Sequence, residues 1–317
     1  MSFQKMDPNY WLELESSYCE RIKQRRALVH EHGKSVMQCL PGSELACKEL
    51  MEMAVQFLCA RYPSHFQLDK NRILRNRILH VEYDVVKEDP LDVLLNNVPE
   101  DFAIMLRDDV TGRYQFRAGI ICSSLGWNLD NKIGQGLSAI HEPVPKYQEK
   151  MEFSVDRFFT KLPTDSPIQR GSWSLEVGQP LYMPRTDPHM RLRETQDRNL
   201  GPQDVFLRVD WQTLRRLPLS GAVVFNFKAL FTSLTVLEDE PYIPALLYKV
   251  LSDGEEALLK YKSIWHVEHV VKPTLEKYKD EQVARGLAEA DWHPRTLDES
   301  PFYPGWDQAD ISSSGRA

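Results

Sequence analysis

The sequence predicts an α+β fold in which helices interrupt an antiparallel β-sheet. Two hairpin patterns predict the sheet, one in residues 102–122 and one in residues 204–237, because each holds two β-forming segments around a turn rich in Asp, Gly or Pro. Stretches with helical spacing precede the first hairpin, lie between the two hairpins and follow the second. Helices and antiparallel hairpins in this order are typical of the α+β class.

A helical N-terminal extension is predicted over residues 1–65. Residues 10–32 and 43–61 carry apolar side chains at roughly helical spacing, and Pro41 followed by glycine separates the two segments. A stretch punctuated by proline and aspartate then leads into the first hairpin. The extension is therefore expected to be two helices placed ahead of the sheet.

The two hairpins are separated by a long and irregular region. Residues 123–162 return to loop and helix, and they end in an amphipathic helix that begins near Met151. Residues 163–203 are rich in proline, and their weak periodicity predicts an extended segment that wraps around the domain. After Pro244 the pattern is helical again, so residues 245–317 are expected to form a helical C-terminal segment and a tail rich in Pro, Gly and Ser.

The second hairpin has one apolar and one polar face on each strand. On the first strand, Arg208, Asp210 and Gln212 alternate with apolar side chains. On the second strand, Asn226 and Lys228 alternate with valine and phenylalanine. A buried carboxylate needs a partner, so Asp210 is expected beside an arginine or Lys228. The row is either an ordinary solvated sheet face or the polar wall of a ligand site.

The composition excludes several classes of function. The formal net charge of −7 disfavours nucleic-acid binding, which needs a basic face. No apolar run approaches the roughly 20 residues of a membrane-spanning helix, and the N-terminus carries charges where a signal peptide needs an apolar stretch. The five cysteines include no C-x-x-C pair, which predicts reduced thiols. We therefore expect a cytoplasmic protein that binds neither nucleic acid nor membranes.

Histidines are the candidate metal ligands, since the common nucleotide-binding, serine-hydrolase and zinc-protease motifs are missing. His266 and His269 share one face of a predicted helix, where they are either a pair of metal ligands or two partly exposed helix histidines. His141 lies just before Pro143, which ends a helix, so its imidazole is expected in the last turn. A ring held there suits an axial haem ligand, and a capping or core histidine is the alternative.

The longest motif of the chain resembles the signature of the haem-dependent oxidative N-demethylase family. It runs LRVDWQTLRRLP over residues 207–218 and continues as GAVVF over residues 221–225. Shorter motifs occur in the family's order, namely ICSSLGW (121–127), KIG (132–134), IHEPVP (140–145), RFF (157–159) and RGSW (170–173). Asp210 followed by Trp, and the run PFYPGW (301–306), resemble the fungal branch of the family. The resemblance covers about residues 10–305.

This resemblance implies a PAS-like fold, a five-stranded antiparallel sheet with helices that holds haem b, here enlarged by helical N- and C-terminal segments. Residues 1–317 would then form a single haem-binding domain, with the two hairpins as the outer strand pairs of its sheet. The family's chemistry implies an oxidoreductase, a monooxygenase that uses O2 and electrons from a separate reductase. Its substrate is expected to be a small amine or another nitrogenous molecule, including secondary metabolites.

Site residues follow from the same resemblance. His141 is expected to be the axial ligand of the haem iron. Arg208 and Trp173 are expected to contact the haem. Arg208, Asp210 and Gln212 are expected to position a haem propionate or the substrate, and Asp210 would also transfer a proton. Two alternatives stay open, a haem-binding PAS-like sensor without turnover and a redox-neutral haem enzyme of biosynthesis, an isomerase or cyclase.

Overall fold

A wholly antiparallel sheet forms the centre of the structure, a computed structural model that describes residues 4–292. The strands are β1 (Gln4–Lys5), β2 (Met37–Cys39), β3 (Phe66–Leu68), β4 (Ile73–Asn76), β5 (Val81–Asp84), β6 (Asp101–Arg107), β7 (Tyr114–Ile120), β8 (Ile168–Val177), β9 (Val205–Arg216) and β10 (Val223–Ser233). Seven of these strands form one sheet in the order β1-β8-β9-β10-β6-β7-β2, and β3, β4 and β5 form a separate small sheet. Each pair of neighbouring strands in this part of the chain is antiparallel.

Helices cover both faces of the large sheet. They are α1 (Tyr18–His32), α2 (Glu44–Arg61), α3 (Pro90–Asn97), α4 (Leu137–Ile140), α5 (Tyr147–Lys150), α6 (Glu152–Lys161), α7 (Ile243–Asp253), α8 (Glu256–Lys262) and α9 (Trp265–Ala284). The first three pack on one face, in a core that includes Leu50 and Phe102. Helices α4 to α6 pack on the other face, around Met105 and Phe159. Helices α7 and α9 pack against the outer end of β8 and β9, around Leu175.

Successive side chains of a strand point to opposite sheet faces, so they belong to the two cores on those faces. In β6, Phe102 and Ile104 belong to the core of the N-terminal helices, whereas Ala103 and Met105 belong to the core on the other face. β6 is flanked by β10 and β7, so both of its faces must be covered, and nearly all of its side chains are buried. This explains why its sequence is a continuous apolar run and not an alternating one.

The α+β class predicted from the sequence is confirmed, and so are both hairpins. The predicted N-terminal helices correspond to α1 and α2, although α1 begins only at Tyr18, because Trp11 and Leu12 are buried ahead of it in non-helical chain. Helices α7 to α9 confirm the predicted C-terminal helical segment. Within residues 4–292, no helix combines the length and the apolarity that a membrane span requires. The division into a single domain with helical extensions stays a prediction.

Two expectations about the sheet are wrong. The stretch 163–203 is not simply an extended wrapping segment, since it contains β8, a ten-residue strand paired along β9. The glycine and serines of β8 interrupt its apolar alternation and hide the strand from pattern analysis. Nor are both hairpins outer strand pairs. The second hairpin has β8 paired along β9 outside it, whereas the first hairpin has only the three-residue strand β2 beyond it. The predicted tail, Leu297–Ala317, and its PFYPGW run lie outside the described residues.

Candidate functional site

The polar row of β9 lies on the sheet face that α4, α5 and α6 cover in part. The register pairs Phe227 with Gln212, so the polar row of β9 and the phenylalanines of β10 point the same way. On the other side of β9, strand β8 places Ser172 opposite Asp210. We call this surface the site face, and its members are Arg170, Ser172, Arg208, Asp210, Gln212, Phe225, Phe227 and Phe231.

The site face is partly open although its strands lie inside the sheet. β9 has a neighbouring strand on both sides, yet the side chain of Asp210 is 26% exposed, while that of Arg208 is 2% exposed. Ser172, Gln212 and Phe225 are half-buried in the same way. A sheet face that presents polar groups and is not closed by its own helices is a suitable wall for a ligand.

Arg208 holds Asp210 in a fixed orientation. The Arg208 Nε donates to the Asp210 Oδ1 at 3.0 Å, and the Arg208 Nη2 lies 2.9 Å from the same oxygen. Burial raises the pKa of the Asp210 carboxyl, and the charge of Arg208 partly offsets this rise. No described residue hydrogen-bonds the Asp210 Oδ2. This oxygen is therefore the atom at which Asp210 can hold or release a proton.

The prediction that an arginine or Lys228 partners Asp210 is thus resolved in favour of Arg208. Lys228 lies on the opposite sheet face, because it pairs with Trp211 in the β9–β10 register. Its Nζ donates to the Glu13 carbonyl at 3.2 Å and lies 3.8 Å from the carboxylate of Glu100. Lys228 therefore ties the N-terminal segment to the sheet and has no contact with the polar row.

A buried ion pair is connected to Arg208 through the loop that follows β7. The guanidinium of Arg25 pairs with Asp101, and both side chains are almost fully buried. The Asp101 Oδ2 also accepts hydrogen bonds from the backbone N–H groups of Cys122 and Ser123, at 2.9 and 2.7 Å. The Ser123 carbonyl in turn accepts a hydrogen bond from the Arg208 Nη2. The loop after β7 is therefore fixed by the same network that orients the polar row.

His141 occupies the C-cap position of α4, which confirms its predicted place at the end of a helix. Its Nδ1 lies 2.8 Å from the Leu137 carbonyl, and its ring stacks on Tyr147 with centroids 4.6 Å apart and planes at 10°. A carbonyl only accepts, so Nδ1 carries the hydrogen and Nε2 is left with its lone pair. Burial lowers the pKa of His141, with smaller contributions from nearby cations. The ring is therefore neutral and immobilised, and no described residue hydrogen-bonds Nε2.

Trp173 lies on the sheet face opposite to Asp210. In β8 it pairs with Val209, whereas the preceding Ser172 pairs with Asp210. Its ring lies under the Nζ of Lys262, 4.4 Å from the ring centroid. Trp173 thus follows the site-face residue Ser172 in the strand, but its side chain lies on the other sheet face. Its contact with haem stays a prediction.

The two helix histidines of α9 do not form a metal centre with other residues of the described part of the chain. Within residues 4–292, no group of three or more His, Cys, Asp or Glu side chains could hold a metal ion without another ligand. His266 is buried, with Nδ1 at 3.0 Å from the Ser263 carbonyl, so the expectation of partial exposure is wrong for this residue. His269 is half-buried, and its Nε2 lies 2.8 Å from the Asp197 carbonyl. Both rings therefore have structural hydrogen bonds.

We predict that His266 makes the fold sensitive to acid. Burial and the charge of Arg193 lower the His266 pKa from 6.5 to about 4. The unfolded chain therefore binds a proton between these pH values that the folded chain does not, and the free energy of unfolding falls by about 3 kcal/mol as pH drops from 6.5 to 4. Urea unfolding at both pH values should show a smaller loss in His266→Gln. His189→Gln, which alters an exposed ring, should match the wild type, and equal losses in all three proteins would contradict the prediction.

Sequence reasoning missed several residues that the structure brings to the site. Asp101 could have been noticed, because it is a charged residue directly before the apolar run from Phe102 to Leu106. Its partner Arg25 lies in a helix with ordinary charge patterning and carries no such signal. Lys132 bonds the Ile140 carbonyl beside His141, and Lys262 interacts electrostatically with Asp210. Lys132 belongs to the KIG motif, but neither lysine has a local pattern that marks it as half-buried. The roles of Arg25, Lys132 and Lys262 are recognisable only from tertiary contacts.

The chain matches one family model over most of its length. The model is described as HODM_asu-like, haem-dependent oxidative N-demethylase, alpha subunit-like, and it matches residues 2–272. The matched range includes the whole seven-stranded sheet, His141 and every member of the site face.

Proposed function

The chain belongs to the haem-dependent oxidative N-demethylase, alpha subunit-like family, and on this premise we propose that it binds haem b on the site face and oxidises a nitrogenous small molecule. The family description supports haem dependence and oxidative removal of an N-methyl group. We further propose O2 as the oxidant, a separate reductase as the electron donor and an amine, including amines of secondary metabolism, as the substrate.

The observation that carries this proposal is the state of His141. A haem iron takes a neutral imidazole whose second nitrogen donates to a carbonyl or carboxylate, because that bond sets the tautomer and the ring plane. His141 has its Nδ1 at a backbone carbonyl, its ring stacked on Tyr147 and its pKa lowered by burial. The donor therefore fits the group, and we propose that His141 would hold the haem iron through its Nε2.

The sheet supports the PAS-like interpretation of the fold. β8, β9, β10, β6 and β7 are consecutive in the sheet, and each neighbouring pair is antiparallel. A five-stranded antiparallel sheet with helices on its faces is what the PAS-like proposal requires. The short strands β1 and β2 then extend that sheet at its two edges.

Bound haem would supply the oxidative chemistry, and the residues of this chain would supply position and protons. Small aliphatic amines are protonated at neutral pH, so the Asp210 Oδ2, which no residue of 4–292 hydrogen-bonds, is a suitable acceptor for an ammonium N–H. The raised pKa of Asp210 lets this carboxyl take up the proton at a higher pH than an exposed aspartate would. Gln212 lies next along the polar row and offers an amide donor and acceptor to the same ligand.

Arg208 is proposed to act by positioning Asp210. Its Nη1 donates to the Pro180 carbonyl at 3.0 Å, and its other nitrogens bind the Ser123 carbonyl and Asp210. A guanidinium that is fixed at three places keeps the carboxyl in one orientation without rearrangement during reaction. The phenylalanines of β10 complete the site face, and their rings would limit the access of water to a bound ligand.

The first test is the optical spectrum of the purified protein. Protein expressed with adequate haem supply should carry one b-type haem per chain, measured as the pyridine haemochrome, and its spectrum should respond to dithionite and CO. With a chemical electron donor and O2, the loaded protein should release formaldehyde from secondary N-methylamines. A colourless protein that does not bind added hemin would refute the proposal.

The same measurements separate the alternatives. Bound haem without turnover of any amine would favour the PAS-like sensor. Turnover that needs neither O2 nor electrons would favour the redox-neutral biosynthetic enzyme. Formaldehyde release that stops under argon would favour the oxidative demethylase.

A further inference from the structure

Two lysines lie on tryptophan faces beside the site. The Lys132 Nζ is 4.5 Å from the centroid of the Trp127 ring and 3.3 Å from the Ile140 carbonyl oxygen. The Lys262 Nζ is 4.4 Å from the centroid of the Trp173 ring and donates to the Trp173 carbonyl at 2.7 Å. Each ammonium is thus fixed against an aromatic ring and one backbone oxygen.

Neither ammonium has an anionic partner in the described chain. Within residues 4–292, no carboxylate oxygen lies within 4.0 Å of either Nζ, whereas the exposed Lys249 has Asp253 at 2.6 Å. An ammonium has three donors, and each of these lysines uses one of them on a carbonyl. Burial lowers the pKa of Lys132 and of Lys262 to about 8. A half-buried ammonium without an anion is unfavourable, so this arrangement favours an anion supplied by a ligand.

Both lysines are close to the proposed haem site. Lys132 bonds the carbonyl immediately before His141, and its charge acts on the His141 ring. Lys262 bonds β8 at the position next to Ser172 and interacts electrostatically with Asp210. An ion pair between Lys146 and Glu255 connects the segment after His141 to the start of α8, which is the helix that carries Lys262.

We propose that Lys132 and Lys262 bind carboxylate groups of the ligand that occupies the site face. This inference rests on the proposed function and names the groups that recognise its ligand. Haem b carries two propionate carboxylates, and a substrate amine that bears a carboxylate, such as an N-methyl amino acid, is the other source of the same chemistry. The net positive charge of the two lysines disfavours a simple alkylammonium ion at these positions.

The first arm of the test uses hemin and hemin dimethyl ester, whose propionates are uncharged. Soret titration should show that the wild type binds hemin at least about tenfold more tightly than the ester, since a charge-assisted contact contributes about one power of ten. In Lys132→Met/Lys262→Met, hemin affinity should fall by at least about tenfold, with ester affinity unchanged. Methionine keeps an apolar stem on each tryptophan. Lys249→Met removes one exposed lysine and should leave both affinities at the wild-type level.

The second arm uses haem-loaded protein and difference spectra with N-methylglycine and dimethylamine. If the substrate is the source of the carboxylate, the wild type should bind N-methylglycine at least about tenfold more tightly than dimethylamine, and the double variant should lose that preference. The assignment would be overturned if the double variant kept the wild-type preferences in both arms, for hemin over its ester and for N-methylglycine over dimethylamine. Failure of the wild type to bind hemin would instead refute the proposed function.

The assignment can still be tested if the double variant does not fold. Circular dichroism and Tm identify that case, and the wild type then decides through the two ligand pairs. Equal wild-type affinities for hemin and its ester, together with equal affinities for N-methylglycine and dimethylamine, would contradict the role of the lysines. A preference for the carboxylate form in either pair that is lost in a folded single variant, Lys132→Met or Lys262→Met, would support it.

Discussion

Replacing His141 with alanine should remove haem from the purified protein. The imidazole is the proposed protein ligand, and loss of a direct ligand should weaken haem binding by at least about 100-fold, because even the groups that orient a ligand contribute about 10- to 100-fold. The measurement is haem content per chain together with the Soret band. Added imidazole should enter the space left by the ring and restore the band.

His30→Ala is the matched control, because His30 is exposed in the last turn of α1. It should retain one haem per chain. A purely structural role for His141 predicts a different result, in which the loss of the Leu137 bond and the Tyr147 stack lowers Tm without changing the haem spectrum. A normal Soret band in His141→Ala, with loss of the band in a variant of His80, His189, His266 or His269, would move the ligand to that residue.

The fold was predictable where its determinants are local. Both hairpins were accessible because a turn and two flanking strands lie within one short segment, and the end of α4 was accessible because Pro143 cannot continue a helix. The pairing of β10 with β6 joins residues more than 100 positions apart, as in the pair Phe227 and Asp101, and no local pattern encodes it. The strand β8 was missed for a related reason. Its sequence alternates poorly, and it is a strand because β9 lies beside it.

The candidate site, like the fold, was predictable only where local sequence determines it. The spacing of Arg208, Asp210 and Gln212 is a property of one strand, so their shared face follows from the period of two. The identity of the Asp210 partner, by contrast, depends on which face Lys228 occupies, and hence on the strand register. The properties of His141 that support a haem ligand are its stacking, its lowered pKa and an Nε2 without a hydrogen bond among the described residues. All of them need the tertiary structure.

Substitutions in the polar row of β9 are expected to have two kinds of effect, one on the packing of the sheet face and one on the chemistry. Arg208 is buried and joins β9 to two other segments through the carbonyls of Pro180 and Ser123. Asp210 is more exposed, and the described residues contact its carboxyl through Oδ1 alone. Loss of the Asp210 charge therefore leaves Arg208 with two acceptors, and the packing of the face is kept. A change at Asp210 is consequently the sharper probe of chemistry.

Asp210→Asn should reduce turnover by about 10²- to 10⁴-fold, the usual contribution of a positioned acid or base, and leave haem content unchanged. The asparagine amide has the same shape and its oxygen can still accept from Arg208, so the stability cost should be only about 1 to 2 kcal/mol in urea unfolding. If the carboxylate is instead needed to neutralise a buried Arg208, the cost should reach about 3 to 5 kcal/mol.

The pH profile distinguishes an acid–base role of Asp210 from simple substrate positioning. Burial raises its pKa, so a carboxylate that acts as a base should give a turnover that rises with pH through a value above that of an exposed aspartate. Asp210→Asn should have no such rise in its residual activity. Asp253→Asn, at an exposed ion pair of α7, is the control and should keep the wild-type rate and profile. Full activity of Asp210→Asn would show that the polar row is ordinary sheet surface, and a slow variant with the wild-type pH profile would assign the proton transfer to another group.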